Sequence, residues 1–326
     1  MRKIILAIYA IFVTLALALV TVNLSKTSEK LKTAKETATK YKKIDEDNSN
    51  SVKATVKEYM EKGLGTLPMC REIFDDEVVL YSASKYTFVP IIPGLEPNYI
   101  ENDKLKYDEI TAELTYKNGD VKSHKGIDVS KFQGDIDWEK VADSGVEFAI
   151  IRIGFRGYGT GELVIDEKAN QNIEGAIKAG IKVGVYFYSQ AITKEEAVEE
   201  AEFVIDAIKD YKIEYPIVFD TEENQDSTAR TEELTGEEIT DMAVAFCDTV
   251  KEAGYTPSIY ANLRWFTLTL DMSKLEKYDK WYAYYDTTLY FPYKIDMWQY
   301  SEDGTVDGID GYVDLDISFK DYSKEW

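Results

Sequence analysis

The 326-residue chain has very little of the two residue types that bind zinc and form catalytic triads: it contains one histidine and two cysteines. A zinc site of the usual His and Cys ligands cannot be assembled from so few donors. The same shortage disfavours Ser-His-Asp and Cys-His catalysis, in which histidine accepts the proton. Two cysteines in so long a chain also indicate a protein that does not rely on disulfides. Any chemistry is therefore expected to depend on carboxylates.

Basic residues are scarce relative to acidic ones: 38 Lys and Arg face 60 Asp and Glu, and the formal net charge is −22. A surface this negative repels phosphate backbones, and no basic stripe interleaves with aromatic residues, so no nucleic-acid partner is predicted. A hydrophobic share of 44% and an aromatic share of 13% are those of a chain that buries a large core. The length allows one large domain or two modest ones.

The long apolar run of the chain covers residues 4–22 and follows a short basic end, residues 1–3, that is predicted to be cytoplasmic. At about 1.5 Å per residue, a helix over this run would span roughly the 30 Å of bilayer hydrocarbon. The run is predicted to be an uncleaved signal anchor that holds the rest of the chain outside the cell membrane. A cleaved signal peptide and a secreted protein are the alternative, because Ala16 and Ala18 form a cleavage-like pattern.

Two segments of different composition follow the apolar run. Residues 23–62, rich in Lys, Thr, Ala and Glu, predict a helical stalk or linker with a break at residues 45–51. Residues 63–123 predict a small β-rich accessory region, in which Asn118-Gly119 is a strong two-residue hairpin signal. The function of this region and the oligomeric state cannot be read from the sequence.

From residue 124 to residue 326, short apolar strands alternate with segments of helical period. Eight strands are predicted, at residues 126–130, 148–154, 182–189, 215–222, 256–262, 280–286, 296–301 and 313–319. This alternation is typical of a β/α barrel. Because little helix separates the last three strands, the predicted fold class is α/β with an irregular, TIM-like (β/α) barrel. An open doubly wound sheet is the alternative.

Four carboxylates lie on these predicted strands: Asp128, Asp220, Glu222 and Asp314. Active sites of β/α barrels lie at the mouth formed by the C-terminal strand ends. Asp220 and Glu222 are two residues apart and are predicted to project to the same face of a strand. Such a pair can cleave an acetal if one carboxyl is protonated and the other opposes the positive charge of the transition state. Helix capping and a divalent-metal cluster are the alternatives that composition leaves open.

Aromatic residues gather beside these acids at the ends of the predicted strands. Sugar rings stack on aromatic side chains while their hydroxyls bond to carboxylates. The candidate substrate-binding residues are Tyr186, Tyr188, Tyr260, Trp281, Tyr284 and Trp298, with Asp286 as a further candidate.

The motifs after residue 124 resemble those of glycoside hydrolase family 25, the muramidase family that includes the Chalaropsis-type lysozymes. The matching segments, in the family's order between about residues 125 and 319, are 126–138 (GIDVSKFQGDIDW), 183–187 (VGVYF), 220–222 (DTE), 281–285 (WYAYY), 298–301 (WQYS) and 308–315 (GIDGYVDL). The resemblance implies an irregular barrel that hydrolyses the β-1,4 bond between N-acetylmuramic acid and N-acetylglucosamine. It implies peptidoglycan glycan strands as the partner, no metal and no cofactor.

The resemblance also implies roles for the acids. Glu222 corresponds to the general acid and Asp220 to its carboxylate partner, while Asp128 and Asp314 correspond to supporting acids. Asp316 stands where the family more often has Asn, and an extra charge there is expected to shift the pH optimum.

Several alternatives stay open at this point. Retaining, inverting and substrate-assisted mechanisms all fit the spacing of the acidic pair. A family-18-like chitinase also has a D-x-E motif, but its longer acidic motif needs an Asp where this chain has Val218. A barrel that binds peptidoglycan without cleaving it is the non-enzyme alternative.

Overall fold

The computed structural model describes the backbone of residues 2–223 and 229–322 and, within these, the side chains of residue 24 and of residues 26 onward. The chain divides into two compact units, Met1–Asp75 and Asp76–Trp326. The first unit contains helices α1 (Arg2–Glu61) and α2 (Thr66–Ile73).

Helix α1 includes residues 23–61 of the predicted stalk, and it is continuous through residues 45–51, so the predicted break is wrong. That segment contains no Pro or Gly, and its Asp, Asn and Ser residues disfavour a helix only mildly. Lys42 Nζ also lies 3.9 Å from Glu46 Oε1, an i,i+4 pair that enters the segment.

The predicted signal anchor falls on the first part of α1. The side chains of residues 4–22 lie outside the described part of the structure. Among the residues that were described, no helix has the length and apolarity needed to span a membrane. The prediction of a transmembrane helix is therefore not supported by the structure.

The second unit begins with two small antiparallel sheets. Strands β1 (Glu77–Ser82) and β2 (Lys85–Pro90) form a hairpin, and β3 (Leu105–Asp108), β4 (Glu113–Asn118) and β5 (Val121–Lys122) form a three-stranded sheet. The predicted Asn118-Gly119 turn is confirmed, because Asn118 pairs with Val121 and Gly119 has a φ of 59°. Glycine adopts this left-handed conformation without steric cost.

The remaining strands of the second unit form the barrel. They are β6 (His124–Val129), β7 (Phe148–Arg156), β8 (Leu163–Ile165), β9 (Lys182–Tyr188), β10 (Ile217–Asp220), β11 (Pro257–Asn262), β12 (Asp279–Ala283), β13 (Met297–Gly304) and β14 (Val313–Ser318). All except β8, which pairs with one edge of β7, belong to a closed ring of eight strands, because β6 pairs with both β7 and β14. The predicted barrel is confirmed, and the open doubly wound sheet is excluded.

One strand makes the barrel irregular. β14 is antiparallel to both β13 and β6, whereas the other neighbouring pairs in the ring are parallel. A parallel connection needs a crossover of about a dozen residues or more, and the loop at residues 305–312 is too short to supply one. The fold therefore departs from an all-parallel TIM barrel at this strand.

The helices of the second unit lie between the barrel strands in the chain. They are α3 (Trp138–Asp143), α4 (Ala169–Lys178), α5 (Lys194–Ile208), α6 (Gly236–Glu252), α7 (Leu263–Leu268) and α8 (Met272–Leu275). The predicted capping box of α6 is present: Glu238 N donates to Thr235 Oγ1 at 3.3 Å, and Thr235 N donates to Glu238 Oε2 at 2.8 Å.

Alternation along the strands separates the outer core from the barrel interior. On β10, Phe219 faces the helices and its ring centroid lies 5.2 Å from that of Phe246 on α6. Val218 belongs to the interior cluster, so Asp220, two residues further, also faces the interior. Gly126 on β6 leaves room for the Phe148 ring, because a Cβ at residue 126 would lie 2.1 Å from that ring.

The β-rich region at residues 77–122 packs against a loop of the barrel. Asn102 Nδ2 donates to Leu289 O at 3.0 Å, and Leu289 N donates back to Asn102 Oδ1 at 2.7 Å. Asn98 Nδ2 donates to Phe291 O at 3.0 Å. The region therefore belongs to the same compact unit as the barrel and holds the loop that follows β12.

Candidate active site

Five carboxyl side chains meet at the mouth of the barrel. Asp128 lies near the end of β6, Asp220 is the last residue of β10, and Glu222 lies just beyond it. Asp314 and Asp316 lie on β14, where Asp314 pairs with Asp128. Because β14 is antiparallel, its beginning lies at the same end of the barrel as the C-terminal ends of the parallel strands. The four acids singled out from the sequence are thus brought together, and Asp316 joins them.

Asp220 and Glu222 differ in their exposure. Asp220 is 4% exposed, whereas Glu222 lies beyond the strand and its side chain is exposed. The predicted strand at residues 215–222 is therefore too long at its end, although Thr221 N still donates to Tyr260 O at 3.3 Å and keeps the backbone beside β11. The pair combines a buried carboxyl with one that a substrate can reach.

The surroundings raise the pKa values of both members of this pair. Burial raises the pKa of Asp220 most, followed by the negative charges of Glu222 and Asp128. Although Glu222 is exposed on its outer side, desolvation by the surrounding mouth raises its pKa, and a hydrogen bond with Asp220 opposes part of that rise. The two groups interact directly and therefore titrate as a pair. At least one of them is thus held protonated at a higher pH than an ordinary carboxyl.

Gln299 on β13 holds Asp128 in place. Its Nε2 donates to Asp128 Oδ2 at 2.7 Å, while its Oε1 accepts hydrogen bonds from the hydroxyls of Tyr260 at 2.7 Å and Tyr285 at 3.2 Å. The two hydroxyl donors orient the amide so that its N–H groups face Asp128. The sequence analysis missed Gln299, although a polar residue at an interior-facing position of a barrel strand is the signal that would have identified it.

Burial also perturbs the two acids of β14. Asp316 is completely buried, Trp281 Nε1 donates to its Oδ1 at 2.7 Å, and burial raises its pKa well above the usual range. Asp314 is half-buried, and burial followed by the charge of Asp128 raises its pKa to about 9. Asp314 is therefore neutral at pH 7.

Within residues 2–223 and 229–322, no three His, Cys, Asp or Glu side chains are grouped so that they can hold a metal ion.

Arg152 on β7 brings positive charge to the mouth. It pairs with Tyr186 in the sheet, and its charge lowers the pKa of Asp220. Its Nε donates to Oδ2 of the buried Asp166 at 2.8 Å, and its guanidinium lies 5.0 Å from the ring centroid of Phe132, which is 76% exposed. The sequence analysis identified neither Arg152 nor Phe132 as site residues.

Four of the predicted aromatic residues line the barrel interior or its mouth. The ring of Trp281 lies 4.6 Å from that of Tyr260 and 6.1 Å from that of Tyr186, both in edge-on geometry. Tyr188 lies closer to the mouth, where the charges of Asp220 and Glu222 contribute to a raised pKa that burial mainly causes. These residues surround the carboxyls as predicted.

The structure places the other three predicted substrate-binding residues elsewhere. Trp298 is completely buried in the outer core, and its Nε1 donates to Tyr284 O at 2.7 Å. The Tyr284 ring stacks on that of Tyr282, with centroids 5.8 Å apart, on the outer face of the sheet. Asp286 Oδ1 accepts from Thr287 N at 2.7 Å, so it caps its own loop. For the two aromatic residues the physical reason is strand alternation, because neighbours of an interior residue face outward.

A cavity of about 320 Å³ opens beside Glu222. It is lined by Thr221, Glu222, Thr231 and Trp265 among others, and Trp265 Nε1 donates to Thr221 Oγ1 at 3.2 Å. Thr221 and Phe219 face the helices, so the cavity lies behind the barrel wall and does not include the other four carboxyls. Glu222 is the one acid of the five that borders it.

A closed β/α barrel with interacting carboxyls and aromatic rings at its mouth fits the class of glycoside hydrolases, which use a pair of carboxyl groups. The family model described as "Glycosyl hydrolases family 25" matches residues 127–309, which is more than half of the chain. The chain therefore belongs to glycosyl hydrolase family 25, and it is classed as a glycoside hydrolase.

Individual relatives agree with this assignment. The autolytic lysozyme of Clostridium acetobutylicum is 27% identical over 196 residues, which cover 59% of this chain and 55% of that protein. The uncharacterized protein YegX of Escherichia coli K12 is 27% identical over 205 residues, which cover 59% of this chain and 68% of that protein.

Solved structures are similar as well. The modular autolysin LytC of Streptococcus pneumoniae is 25% identical, with a TM-score of 0.56 and coverage of 75% of this chain and 57% of that chain. LytC has also been solved in complex with a synthetic peptidoglycan ligand; that structure is 24% identical, with a TM-score of 0.55 and the same coverage of 75% and 57%. This chain thus spans little more than half the length of LytC and of the autolytic lysozyme.

Proposed function

We propose that this chain hydrolyses the β-1,4 bond between N-acetylmuramic acid and N-acetylglucosamine in peptidoglycan. The observation that carries the proposal is the pairing of an exposed Glu222 with a buried Asp220 at the mouth of a family 25 barrel. The similarity to an autolytic lysozyme and to an autolysin that binds a synthetic peptidoglycan ligand supports the choice of substrate.

In this proposal Glu222 is the general acid. Burial raises its pKa above that of an ordinary carboxyl, although the pKa of Asp220 is raised further. Glu222 is the member of the pair whose exposed carboxyl can reach the oxygen of a glycosidic bond that enters the mouth. Proton donation to the leaving oxygen avoids an alkoxide in the transition state.

Asp220 is the carboxylate partner. Among the described residues no donor reaches its buried Oδ1, so this oxygen is available to accept a hydrogen bond from a substrate. We favour a substrate-assisted route in which Asp220 accepts from the N–H of the 2-acetamido group. The acetamido oxygen then bonds to C1 as the glycosidic C1–O bond breaks, and the leaving oxygen takes the proton of Glu222. Water later attacks C1, the bond from C1 to the acetamido oxygen breaks, and Glu222 takes a proton from the attacking water.

Asp128 and Asp314 support this pair. Asp128 is fixed by Gln299, and its charge adds to the negative potential that favours an oxocarbenium-like transition state. Asp314, neutral at pH 7, can donate a hydrogen bond to Asp128 or to a substrate hydroxyl. Tyr186, Tyr188 and the exposed Tyr285 are the rings placed to contact a sugar at the mouth.

The decisive experiment is to incubate the full chain with purified peptidoglycan and identify the new reducing ends after borohydride reduction. Reduced N-acetylmuramic acid ends, absent with the Glu222→Gln variant, are the expected result. Reduced N-acetylglucosamine ends would instead indicate a glucosaminidase or chitinase-like specificity. Binding to peptidoglycan without any new ends would indicate a barrel that no longer catalyses cleavage.

We further propose that the barrel acts outside the cytoplasmic membrane, where peptidoglycan lies. Protease added to intact cells should then degrade the second unit, whereas a cytoplasmic marker protein should survive. Survival of the second unit until the cells are lysed would contradict this location.

A further inference from the structure

The contacts of Asp316 leave one of its oxygens without a donor. Its Oδ1 accepts from Trp281 Nε1 at 2.7 Å, whereas no donor among the described residues reaches its Oδ2, although the side chain is completely buried. A buried, unpartnered carboxylate oxygen costs several kcal/mol. The structure therefore has to supply a partner for Oδ2 in another way.

The partner is a second carboxyl group. Asp316 pairs with Gly126 in the sheet and so lies diagonally across from Asp128, with both side chains inside the barrel. An interaction between the two carboxyls contributes to both of their pKa shifts, raising the pKa of Asp128 and lowering that of Asp316. One oxygen of Asp128 already accepts from Gln299, just as one oxygen of Asp316 accepts from Trp281. Two carboxylates cannot hydrogen-bond to each other unless one proton lies between them.

We propose that Asp128 and Asp316 share one proton at neutral pH and that Asp316 is a positioning residue for Asp128. In this arrangement Gln299 donates to one oxygen of Asp128, and the shared proton, together with Asp314, holds the rest of the carboxyl group. The importance of Asp128 for catalysis rests on the proposed function, but the shared proton does not.

The groups that face this pair favour one proton over none. Asp314 on the same strand, neutral at pH 7, also hydrogen-bonds to Asp128. Asp220 on β10 is a source of negative charge, and Arg152 on β7 is a source of positive charge. The neutral groups packed around the pair are Gln299 on β13, Trp281 on β12, Tyr260 on β11 and Tyr186 on β9. Arg152 is already bonded to Asp166 at 2.7 Å and is not free to neutralise a second carboxylate.

A shared proton gives Asp316 the same contacts that an asparagine at residue 316 would make. An asparagine at residue 316 would accept from Trp281 through its oxygen and donate an N–H to Asp128. An Asp316 that shares a proton with Asp128 makes the same two contacts. In the proposed arrangement the pair carries one negative charge at neutral pH with either residue at position 316.

The test compares the full wild-type chain with Asp316→Asn by denaturant unfolding between pH 5 and 8. Between the pKa of an unfolded carboxyl, about 4, and the raised pKa of the pair, the folded pair holds one proton that the unfolded chain lacks, in addition to the protons that Asp314 and the Asp220 and Glu222 pair hold in both variants. Its stability therefore falls as pH rises, whereas the asparagine variant has no such proton to lose. The ratio of their folding constants should change by about tenfold per pH unit in favour of the variant.

The control is Asp310→Asn, which removes an exposed carboxylate from the loop before the same strand and should show no such trend. A stability difference between wild type and Asp316→Asn that stays constant from pH 5 to 8 would overturn the proposal. Failure of Asp316→Asn to fold would also overturn it, because the amide is claimed to reproduce both contacts.

A second measurement tests the positioning role. Asp316→Leu fills the space but offers Asp128 no donor, so it should lower kcat/KM on peptidoglycan by at least about tenfold at pH 6. Asp316→Asn, which keeps a donor, should have most of the kcat/KM of wild type. Equal losses in both variants would refute positioning through a hydrogen bond. If wild type proves inactive on peptidoglycan, the proposed function fails, and the unfolding experiment still decides whether the proton is shared.

Discussion

Replacing Glu222 with glutamine tests the assignment of the general acid. Glutamine keeps the size of the side chain and can still donate a hydrogen bond to Asp220, so that buried carboxyl keeps its neighbour. Because Glu222 is exposed and lies beyond the end of β10, the change removes no packing and should leave the unfolding midpoint nearly unchanged. The structure therefore predicts an effect on chemistry that is separate from stability.

The expected loss in turnover follows from the lost proton transfer. General acid catalysis contributes about 10² to 10⁴ in rate, which corresponds to about 3 to 5 kcal/mol in the activation barrier. Binding of peptidoglycan should be retained. In wild type, turnover should fall as pH rises through the raised pKa of the Asp220 and Glu222 pair, because the general acid must be protonated.

The assay separates the acid from its partner by changing the leaving group. An aryl glycoside with a good phenolate leaving group needs little protonation, so Glu222→Gln should be far less impaired on this substrate than on peptidoglycan. Asp220→Asn should remain impaired on both substrates. Full peptidoglycan cleavage by Glu222→Gln would refute the reasoning, and rescue of Asp220→Asn alone would reverse the two assignments.

Three further predictions address the partner, the metal and the barrel interior. Asp220→Asn should lower turnover. In the double variant this decrease in turnover should not add to the decrease caused by Glu222→Gln, because both residues act on one transition state. Additive decreases in turnover would argue against this. Exhaustive EDTA treatment should change activity by no more than about twofold, or ~0.4 kcal/mol, and a loss that Mg²⁺ or Ca²⁺ restores would place a cation among the acids. Gly126→Ala would bring a Cβ to 2.1 Å from the Phe148 ring and should lower the free energy of unfolding by at least about 1 to 3 kcal/mol; an unchanged denaturation curve would contradict this packing.

The sequence could not predict which of the aromatic residues face the barrel interior. Because Trp281 and Trp298 both lie near strand ends, the sequence made them equally good candidates for substrate binding. In the structure Trp281 faces the barrel interior, whereas Trp298 faces the outer core. Which face a residue occupies depends on the register of each strand, and a shift of one residue exchanges the two faces. Gln299, next to Trp298, was missed for the same reason.

The sequence by itself determined the eight barrel strands and their order in the chain, because short apolar runs that alternate with amphipathic segments can bury their surfaces only as strands covered by helices. It also singled out four of the five acids that meet at the mouth, since carboxylates are costly on buried strands unless they have a use or a partner. Only the tertiary structure decided that β14 is antiparallel, and this direction brings Asp314 and Asp316 to the mouth beside Asp128. The protonation of those acids was likewise beyond the sequence, because it depends on burial and on charges that come together from distant parts of the chain.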